Sequence, residues 1–210
     1  SNEGASMLST AAMVPAAAER ARFFPRPDRE GVRTRLVSLE NESEIIEAGI
    51  PGELRFTGNT VFNGYLDSDG SEFDDQGYYR TGDLFEYVAG DDPPRLLKFV
   101  DRAKDIIIRG GMNISAAEVE ALVADHPAIV ECAAVGFPDR DLGEKVGIFA
   151  VAAPDAEPPS LDAVVAHLRD HEIASYKLPE RLAYLDTLPR NPVGKVVKPE
   201  LRQIWRESTP

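Results

Sequence analysis

The sequence has little cysteine, no long apolar run and no excess of positive charge. Its single cysteine, Cys132, permits no internal disulfide, so the fold must rely on packed cores, and a reducing cytoplasm is the expected location. The sequence contains no stretch of about eighteen apolar residues, so no membrane-spanning helix is predicted. The formal net charge of −13 argues against nucleic acid or an anionic membrane as the main partner.

Several familiar catalytic and metal-binding signatures are also missing. There is no Ser-His-Asp or Cys-His pattern, no Walker lysine loop and no G-x-G-x-x-G after a strand. His167 and His171 are four residues apart on a predicted helix, but no third metal ligand stands at a suitable spacing, which favours solvated histidines. The acidic loop at 67–75 has Gly70 at its fourth position, whereas an EF-hand needs glycine at the sixth, which favours a solvated loop.

The pattern of apolar residues predicts an α+β protein. The length of 210 residues allows one large domain or two small ones. Residues 24–27 look like a loop, and strand-type texture runs from Gly31 to about residue 100. The later part predicts β, α, β, β, α, β, α, with Ser115 and Ser160 capping two helices and a last helix beginning near Pro199.

A charged segment at residues 100–105 separates these two parts. Four of its six residues are charged, and an apolar stretch followed by Arg109, Gly110 and Gly111 comes directly after it. A charged connection followed by glycines, which have no side chains, is typical of a hinge beside an anionic ligand. A solvated connection that ends in a hairpin turn explains the same pattern.

Two further segments could carry chemistry. In Thr81-Gly82-Asp83, an ionised Asp83 could accept hydrogen bonds from both hydroxyls of a ribose, although an Asx-type turn gives the same pattern. Lys195 follows Gly194 in a turn rich in Asn and Pro. It could stabilise negative charge on a phosphate or carboxylate oxygen, or it could be an ordinary surface lysine.

Together these motifs resemble those of the adenylate-forming superfamily, which comprises acyl-CoA ligases, aryl-acid ligases and the adenylation domains of peptide synthetases. The resemblance extends from about Gly31 to Arg206, and the motifs follow the order found in the family. The matching segments are Gly52-Glu53-Leu54 with Gly58 and 64–66, then 79–84, 101–105, 109–111 with 118–120, 176–179 and 188–195.

The resemblance implies a domain organisation. Residues 1–99 are expected to be the β-rich C-terminal remnant of a large nucleotide- and acid-binding domain, 100–104 a hinge, and 105–210 a small, mobile C-terminal α+β domain. The chain is expected to have been cut from a longer one, because the phosphate loop of the family and most of its acid pocket are expected upstream.

The resemblance also implies roles for individual residues. Asp83 would hold the ribose of ATP, Arg102 would contact the same nucleotide, and Lys104 would be the pivot of the hinge. Lys195 would be catalytic and would bridge the substrate carboxylate and the α-phosphate.

Two other sites come from the same resemblance. Arg109, Gly110 and Gly111 would line the path of the pantetheine arm of CoA. Glu3 would be linked to Mg²⁺.

The implied function is that of an AMP-forming acyl-CoA ligase, an acid–thiol ligase that uses ATP, Mg²⁺ and CoA. It would activate a fatty, cyclic or aromatic carboxylic acid as acyl-AMP and transfer the acyl group to CoA. This chain alone is expected to be inactive, because it cannot hold the triphosphate. Two alternatives stay open: an adenylation enzyme that loads a carrier protein, and a non-catalytic binding module.

Overall fold

In the part of the chain that the structure describes, the protein is α+β, as the sequence predicts, with antiparallel strand pairing in both of its sheets and three α-helices. The computed structural model describes residues 7–17, 19–20, 22–27, 31–90 and 95–207. The chain divides into two compact units, Ser1–Lys104 and Asp105–Pro210. Within the described ranges, no helix has both the length and the apolar character needed to cross a bilayer.

The first unit is built on a six-stranded antiparallel sheet with the order β1-β6-β5-β4-β2-β3. The strands are β1 Phe23–Pro25, β2 Val32–Val37, β3 Glu44–Ile45, β4 Gly52–Gly58, β5 Tyr79–Tyr87 and β6 Leu96–Arg102. The expected loop at 24–27 is therefore wrong for residues 24 and 25, which pair with β6 at the edge of the sheet. Pro25 is tolerated there because an edge strand can leave one side of its backbone unpaired.

The central strand β4 is buried on both faces. Its apolar residues Leu54 and Phe56 pack in separate apolar clusters. The polar residues that alternate with them, Glu53 and Arg55, are only 5% and 1% exposed. Alternation along a strand normally separates a core face from a solvent face, so here the polar face is covered as well.

Within its described residues, 105–207, the second unit combines a five-stranded sheet with three α-helices. Its elements are β7 Ile107–Arg109, β8 Met112–Ile114, α1 Ala116–Ala124, β9 Ile129–Asp139, β10 Gly143–Ala152, α2 Leu161–Asp170, β11 Arg181–Tyr184 and α3 Lys198–Glu207. Short 3-10 helices occur at Ala103–Asp105 and Ser175–Lys177.

Strand β10 is the centre of this sheet. On one edge it pairs with β9 along its whole length, in antiparallel fashion. Its other edge carries two strands in tandem: β7 pairs at Gly143, and β11 pairs in parallel with residues 147–150. Successive residues of a strand point to opposite faces, and helices cover both. Helices α1 and α2 pack on one face, and α3 packs on the other through Leu201 and Trp205.

The helix starts follow the predicted capping. Ser115 Oγ accepts a hydrogen bond from the Glu118 N–H (3.1 Å), and Ser160 Oγ accepts one from the Ala163 N–H (3.2 Å). Each bond satisfies a backbone donor that the first helical turn leaves without a partner. The Glu118 carboxylate accepts two hydrogen bonds from Lys177 Nζ (2.6 and 2.8 Å), a contact that the capping pattern does not predict.

The charged segment 100–105 is ordered secondary structure instead of an irregular connection. Its first three residues end strand β6, and its last three form a 3-10 helix. Asp101 is 4% exposed, and its carboxylate accepts a hydrogen bond from the Arg102 N–H (2.7 Å). A buried carboxylate needs such a donor. The assignment of 100–104 as a hinge stays a prediction.

Because helices pack on both faces of the sheet in the second unit, we can predict which side chains contribute most to its stability. Val135 is fully buried beside Trp205, whereas Val130 on the same strand is 63% exposed. We expect Val135→Ala to lower the free energy of unfolding by roughly 2 kcal/mol, since it removes buried methyl groups and leaves a cavity. Trp205, the only tryptophan of the chain, reports the transition in urea by its fluorescence.

Val130→Ala is the matched control for this measurement. It makes the same chemical change in the same strand, so it carries the same cost in strand propensity. We expect it to lower the free energy of unfolding by less than about 1 kcal/mol. Equal effects of the two substitutions would contradict the assignment of Val135 to the core.

Candidate functional site

Thr81-Gly82-Asp83 forms a bulge in the middle of β5. Glu53 of β4 pairs with Leu84, but Arg55 pairs with Arg80, so a single residue of β4 lies opposite three residues of β5. Extra residues in one strand bend it and change the direction of its side chains. Gly82 has φ +69°, a backbone conformation that favours glycine.

Side chains and backbone of β4 hold this bulge in place. The Thr81 hydroxyl donates to the Leu54 carbonyl (2.7 Å) and accepts from the Asp83 N–H (3.0 Å). The Gly82 N–H donates to Glu53 Oε1 (3.0 Å). The turn is therefore closed by the threonine hydroxyl, in the manner of an ST-turn. Its geometry depends on the two residues of β4 that face it.

Asp83, the last residue of the bulge, lies opposite Arg102 on the other neighbouring strand, next to a second register shift between Leu84 and Phe85. The two residues are register partners in β5 and β6, and Arg102 Nε lies 3.0 Å from Asp83 Oδ1. Their side chains are 29% and 50% exposed, while Asp83 Oδ1 itself is buried, so a ligand can reach the guanidinium and the exposed part of the carboxylate. A carboxylate that accepts hydrogen bonds, placed beside a permanent cation, can contact a hydroxylated and negatively charged molecule.

A network of charged side chains lies beneath the bulge. Arg55 Nε contacts Glu53 Oε2 (2.7 Å), and Arg55 Nη1 contacts Glu42 Oε2 (2.6 Å) and Asp74 Oδ2 (3.2 Å). Hydrogen bonds from Arg55, and then from Arg80, lower the pKa of Glu42 to about 2. Glu42 therefore remains ionised at neutral pH.

In the second unit, Asn191 closes the turn that carries Lys195. Asn191 Oδ1 accepts hydrogen bonds from the N–H groups of Lys195 (2.9 Å) and Val193 (3.2 Å). The Asn191 N–H donates to the Lys195 carbonyl (2.9 Å), and Gly194 has φ +83°. Lys195 itself is exposed. The structure thus presents its side chain to solvent from a turn whose backbone is fixed.

Gly110 and Gly111 form the two-residue turn between β7 and β8. Their φ values are +56° and +79°, as a type I′ hairpin turn requires. The Gly110 N–H donates to the Leu142 carbonyl (2.7 Å). Next to the turn, Arg109 Nη2 lies 2.7 Å from Glu180 Oε1. Glu180 Oε2 lies 2.9 Å from Lys145 Nζ, so a charge cluster anchors the base of the hairpin.

Comparisons with known proteins identify the superfamily of this chain. The model of the AMP-binding enzyme C-terminal domain family matches residues 118–195. The chain is 40% identical, over 167 residues, to 2-hydroxy-7-methoxy-5-methyl-1-naphthoate–CoA ligase of Streptomyces carzinostaticus, covering 78% of this chain and 29% of that protein. This chain belongs to the adenylate-forming superfamily.

Two other comparisons extend this result within the adenylate-forming superfamily. Enterobactin synthase component E of Escherichia coli is 38% identical over 170 residues, covering 80% of this chain and 30% of that protein. The crystal structure of ATP-bound MatB from Rhodopseudomonas palustris superposes with a TM-score of 0.74 at 32% identity, covering 86% of this chain and 35% of MatB. The chain spans about 30% of the length of these curated relatives and corresponds to the C-terminal portion of the superfamily.

The three histidines of this chain lie next to one another in the second unit. The ring centroids of His126 and His167 are 5.1 Å apart, and those of His167 and His171 are 4.5 Å apart. His167 Nε2 lies 3.0 Å from the Leu122 carbonyl, to which it donates, so the expectation of a solvated histidine is wrong for His167. Among the residues that the structure describes, no three His, Cys, Asp or Glu side chains could hold a metal. Glu3, the predicted Mg²⁺-linked residue, lies outside those residues.

The structure brings some of the predicted site residues together and adds others. In the first unit it pairs Asp83 with Arg102, and in the second Arg109 flanks the Gly110-Gly111 turn. Glu53 and Glu180 were not predicted as site residues. Glu53 belongs to a motif that was identified in the sequence, but its position in an alternating strand predicts exposure. Glu180 carries no sequence signal that distinguishes it from a surface carboxylate.

The environment of His126 predicts a loss of stability in mild acid. Burial, and then the proximity of His167, lowers the pKa of His126 below its usual value of about 6.5. The unfolded chain therefore binds this proton at a higher pH than the folded chain, and stability falls as the pH drops below about 6.5. We expect the urea midpoint followed by Trp205 fluorescence to decrease between pH 7.5 and 5.5.

His126→Gln tests the source of this pH dependence. Without the imidazole, the decrease over that pH interval should become smaller, because the ion-paired carboxylates, such as Glu180, have lowered pKa values and titrate in more acidic solution. A variant with the same pH dependence as the wild-type chain would contradict the assignment to His126.

Proposed function

We propose that this chain is the C-terminal part of an ATP-dependent, AMP-forming acyl-CoA ligase that acts on a fatty, cyclic or aromatic carboxylic acid. The reaction has two half-reactions. A carboxylate oxygen first attacks the α-phosphorus of ATP and displaces pyrophosphate. The thiol of CoA then attacks the acyl carbonyl, loses its proton and displaces AMP.

The observation that carries this proposal is the pairing of Asp83 with Arg102 at the bulge of β5. Asp83 would accept hydrogen bonds from the ribose hydroxyls, since an ionised carboxylate is an acceptor for two donors. Arg102 lies 3.0 Å away and would contact the same nucleotide with its guanidinium. Both side chains are accessible, and the backbone that directs Asp83 is held by hydrogen bonds. The similarity to ATP-bound MatB supports the use of ATP by the protein.

Lys195 would serve the first half-reaction. Its ammonium group would bridge the substrate carboxylate and the α-phosphate, and would stabilise the negative charge that develops as pyrophosphate leaves. The turn that Asn191 closes supports this role, because a fixed backbone places a flexible lysine within a limited volume.

The hairpin of β7 and β8 would serve the second half-reaction. Gly110 and Gly111 lack side chains at its tip, so a thin pantetheine arm could approach the backbone closely. Arg109 would flank this path. Lys104, at the end of the first unit, would be the hinge about which the second unit changes orientation between the two half-reactions.

A carrier protein is the second candidate acceptor. Enterobactin synthase component E, one of the relatives, is by its name part of a larger synthase. A carrier presents its thiol on a pantetheine arm, as CoA does, so the same hairpin would serve both acceptors. Comparing acyl transfer to free CoA with transfer to a pantetheine-bearing carrier protein distinguishes the two.

Mg²⁺ would add positive charge at the triphosphate. Glu3, which the resemblance links to Mg²⁺, lies outside the described residues. Because the phosphate loop of the family is expected upstream, the 210-residue chain by itself would not adenylate an acid. The cytoplasmic location stays a prediction.

Pyrophosphate release from ATP over a panel of carboxylic acids tests the proposed function. We expect release by the full-length gene product and none by the 210-residue chain, with the preferred acids identifying the substrate class. If neither protein releases pyrophosphate with any acid, the ligase assignment is wrong and a binding module replaces it.

Lys195→Ala in the full-length protein separates the two half-reactions. We expect adenylation to fall by about 100-fold or more, because the charge at the α-phosphate loses its stabilising cation. Thioester formation from a supplied acyl-adenylate should be largely unchanged. The control is Val193→Ala, which alters the same turn at a residue that is 77% exposed and should leave both steps intact. Equal losses in the two steps for Lys195→Ala would reject the assigned role.

Lys104→Pro tests the hinge. Proline fixes its own φ and restricts the residue before it, so the backbone at 103–104 can no longer rotate freely. The first half-reaction should proceed and the overall rate of thioester formation should fall. Single-turnover measurements of acyl-adenylate and of acyl-CoA follow the two steps separately. An unimpaired overall rate would exclude Lys104 as the hinge.

A further inference from the structure

We infer that Glu53 is a positioning residue for the nucleotide: its buried carboxylate holds the Gly82 N–H and thereby directs Asp83. This inference rests on the proposed role of Asp83 in binding the ribose. Gly52-Glu53-Leu54 is one of the motifs that the sequence shares with the adenylate-forming superfamily, and Glu53 has no part in the proposed function.

The Glu53 carboxylate contacts two groups, one through each oxygen. Oε1 accepts from the Gly82 N–H (3.0 Å), and Oε2 accepts from Arg55 Nε (2.7 Å). The side chain of Glu53 is 7% exposed and that of Arg55 is 1% exposed, so water competes little for either bond. A hydrogen bond from an uncharged donor to an ionised acceptor is stronger than one between neutral groups.

The bond to Gly82 acts at the middle of the bulge. Gly82 has a positive φ and stands between Thr81, whose hydroxyl is bound to the Leu54 carbonyl, and Asp83. If the Gly82 N–H is released, the peptide between Thr81 and Gly82 can rotate. The direction of the Asp83 side chain would then no longer be fixed relative to Arg102. The two consecutive residues Glu53 and Leu54 thus determine where the ribose-binding carboxylate points.

Glu53 also belongs to the ionic network around Arg55, which offers a purely structural explanation of its burial. Glu42 separates the two explanations. It contacts Arg55 as closely as Glu53 does, at 2.6 Å, but its second contact is with Arg80 (3.1 Å) and not with Gly82. Removing either carboxylate takes one negative charge from Arg55, whereas only removal of Glu53 takes the acceptor from Gly82.

Three variants test the inference: Glu53→Ala, Glu53→Gln and Glu42→Ala. The first measurement is amide hydrogen exchange at Gly82 in the 210-residue chain, relative to the amides of Phe85 and Tyr87 on the same strand. We expect Gly82 to exchange about tenfold faster in Glu53→Ala, the effect of losing one hydrogen bond to a charged group. Glu53→Gln keeps an acceptor oxygen and should retain most of the protection. Glu42→Ala should leave the ratio unchanged.

The second measurement is the KM for ATP in the full-length protein, followed by pyrophosphate release. Ribose contacts hold ATP in the ground state and in the transition state alike, so misplacement of Asp83 should raise KM more than it lowers kcat. We expect a rise of about tenfold for Glu53→Ala, a smaller one for Glu53→Gln and none for Glu42→Ala.

Two results would overturn the inference. One is an unchanged KM for ATP in Glu53→Ala although Gly82 has lost its protection. The other is an equal rise in KM for Glu42→Ala, which would make the whole network, and not the bond to Gly82, responsible. A failure of the proposed function can be distinguished from a failure of this inference, because the wild-type full-length protein would then release no pyrophosphate with any acid. That result would also remove the nucleotide role of Glu53.

Discussion

Strand pairing along β10 determines where the site elements of the second unit lie. One edge of β10 pairs with β9 throughout, and the other edge is shared by β7 and β11. The hairpin with Gly110 and Gly111 is therefore attached to the same strand as β11, whose chain continues to the Lys195 turn. Gly147 in β10 has no side chain, and a Cβ there would lie 2.9 Å from Trp205 Nε1. This close approach lets α3 pack directly on the strand.

Strand pairing also positions the site residues of the first unit. There, an irregularity in the pairing sets their geometry. Regular pairing between β4 and β5 would give Asp83 an ordinary position in the sheet. The extra residues at Thr81-Gly82-Asp83 instead bend β5 beside β4, and the separate pairing of β5 with β6, which has its own register shift, sets Asp83 opposite Arg102. A bulge alone would be a weak point of the sheet. The Thr81 hydroxyl and the Glu53 carboxylate supply the hydrogen bonds that the interrupted pairing would otherwise have made.

Local patterns in the sequence were sufficient for much of the fold. Ser115 and Ser160 mark two helix starts, because an N-cap depends on the cap residue and the next three positions. The β1 strand was missed because a segment flanked by prolines favours a loop. Only pairing with β6, about seventy residues later, makes it a strand. The burial of Glu53 and Arg55 was not predictable for the same reason, since Asp74, one of the partners, comes from a distant loop.

Some features of the candidate site could also be predicted from the sequence, and others could not. The motif series suggested Asp83, Arg102 and Lys195, but it could not give the register that sets Asp83 opposite Arg102. The histidine pair at 167 and 171 was visible as a spacing. His126 joins them only because the chain after α1 passes beside α2.

The charges beneath the bulge balance one another. Three arginines, Arg35, Arg55 and Arg80, contact three carboxylates, those of Glu42, Glu53 and Asp74. The acidic excess of the chain, −13 in total, therefore belongs to the remaining residues, whose exposed charges repel one another and are screened by dissolved salt. Four of these six side chains, those of Arg35, Arg55, Glu53 and Asp74, are at most 13% exposed, so the contacts among them respond less to ionic strength than contacts between exposed charges. The buried contact of Glu53 with Arg55, which fixes the carboxylate that holds the Gly82 N–H, is thus less sensitive to salt than the electrostatic field of the protein surface.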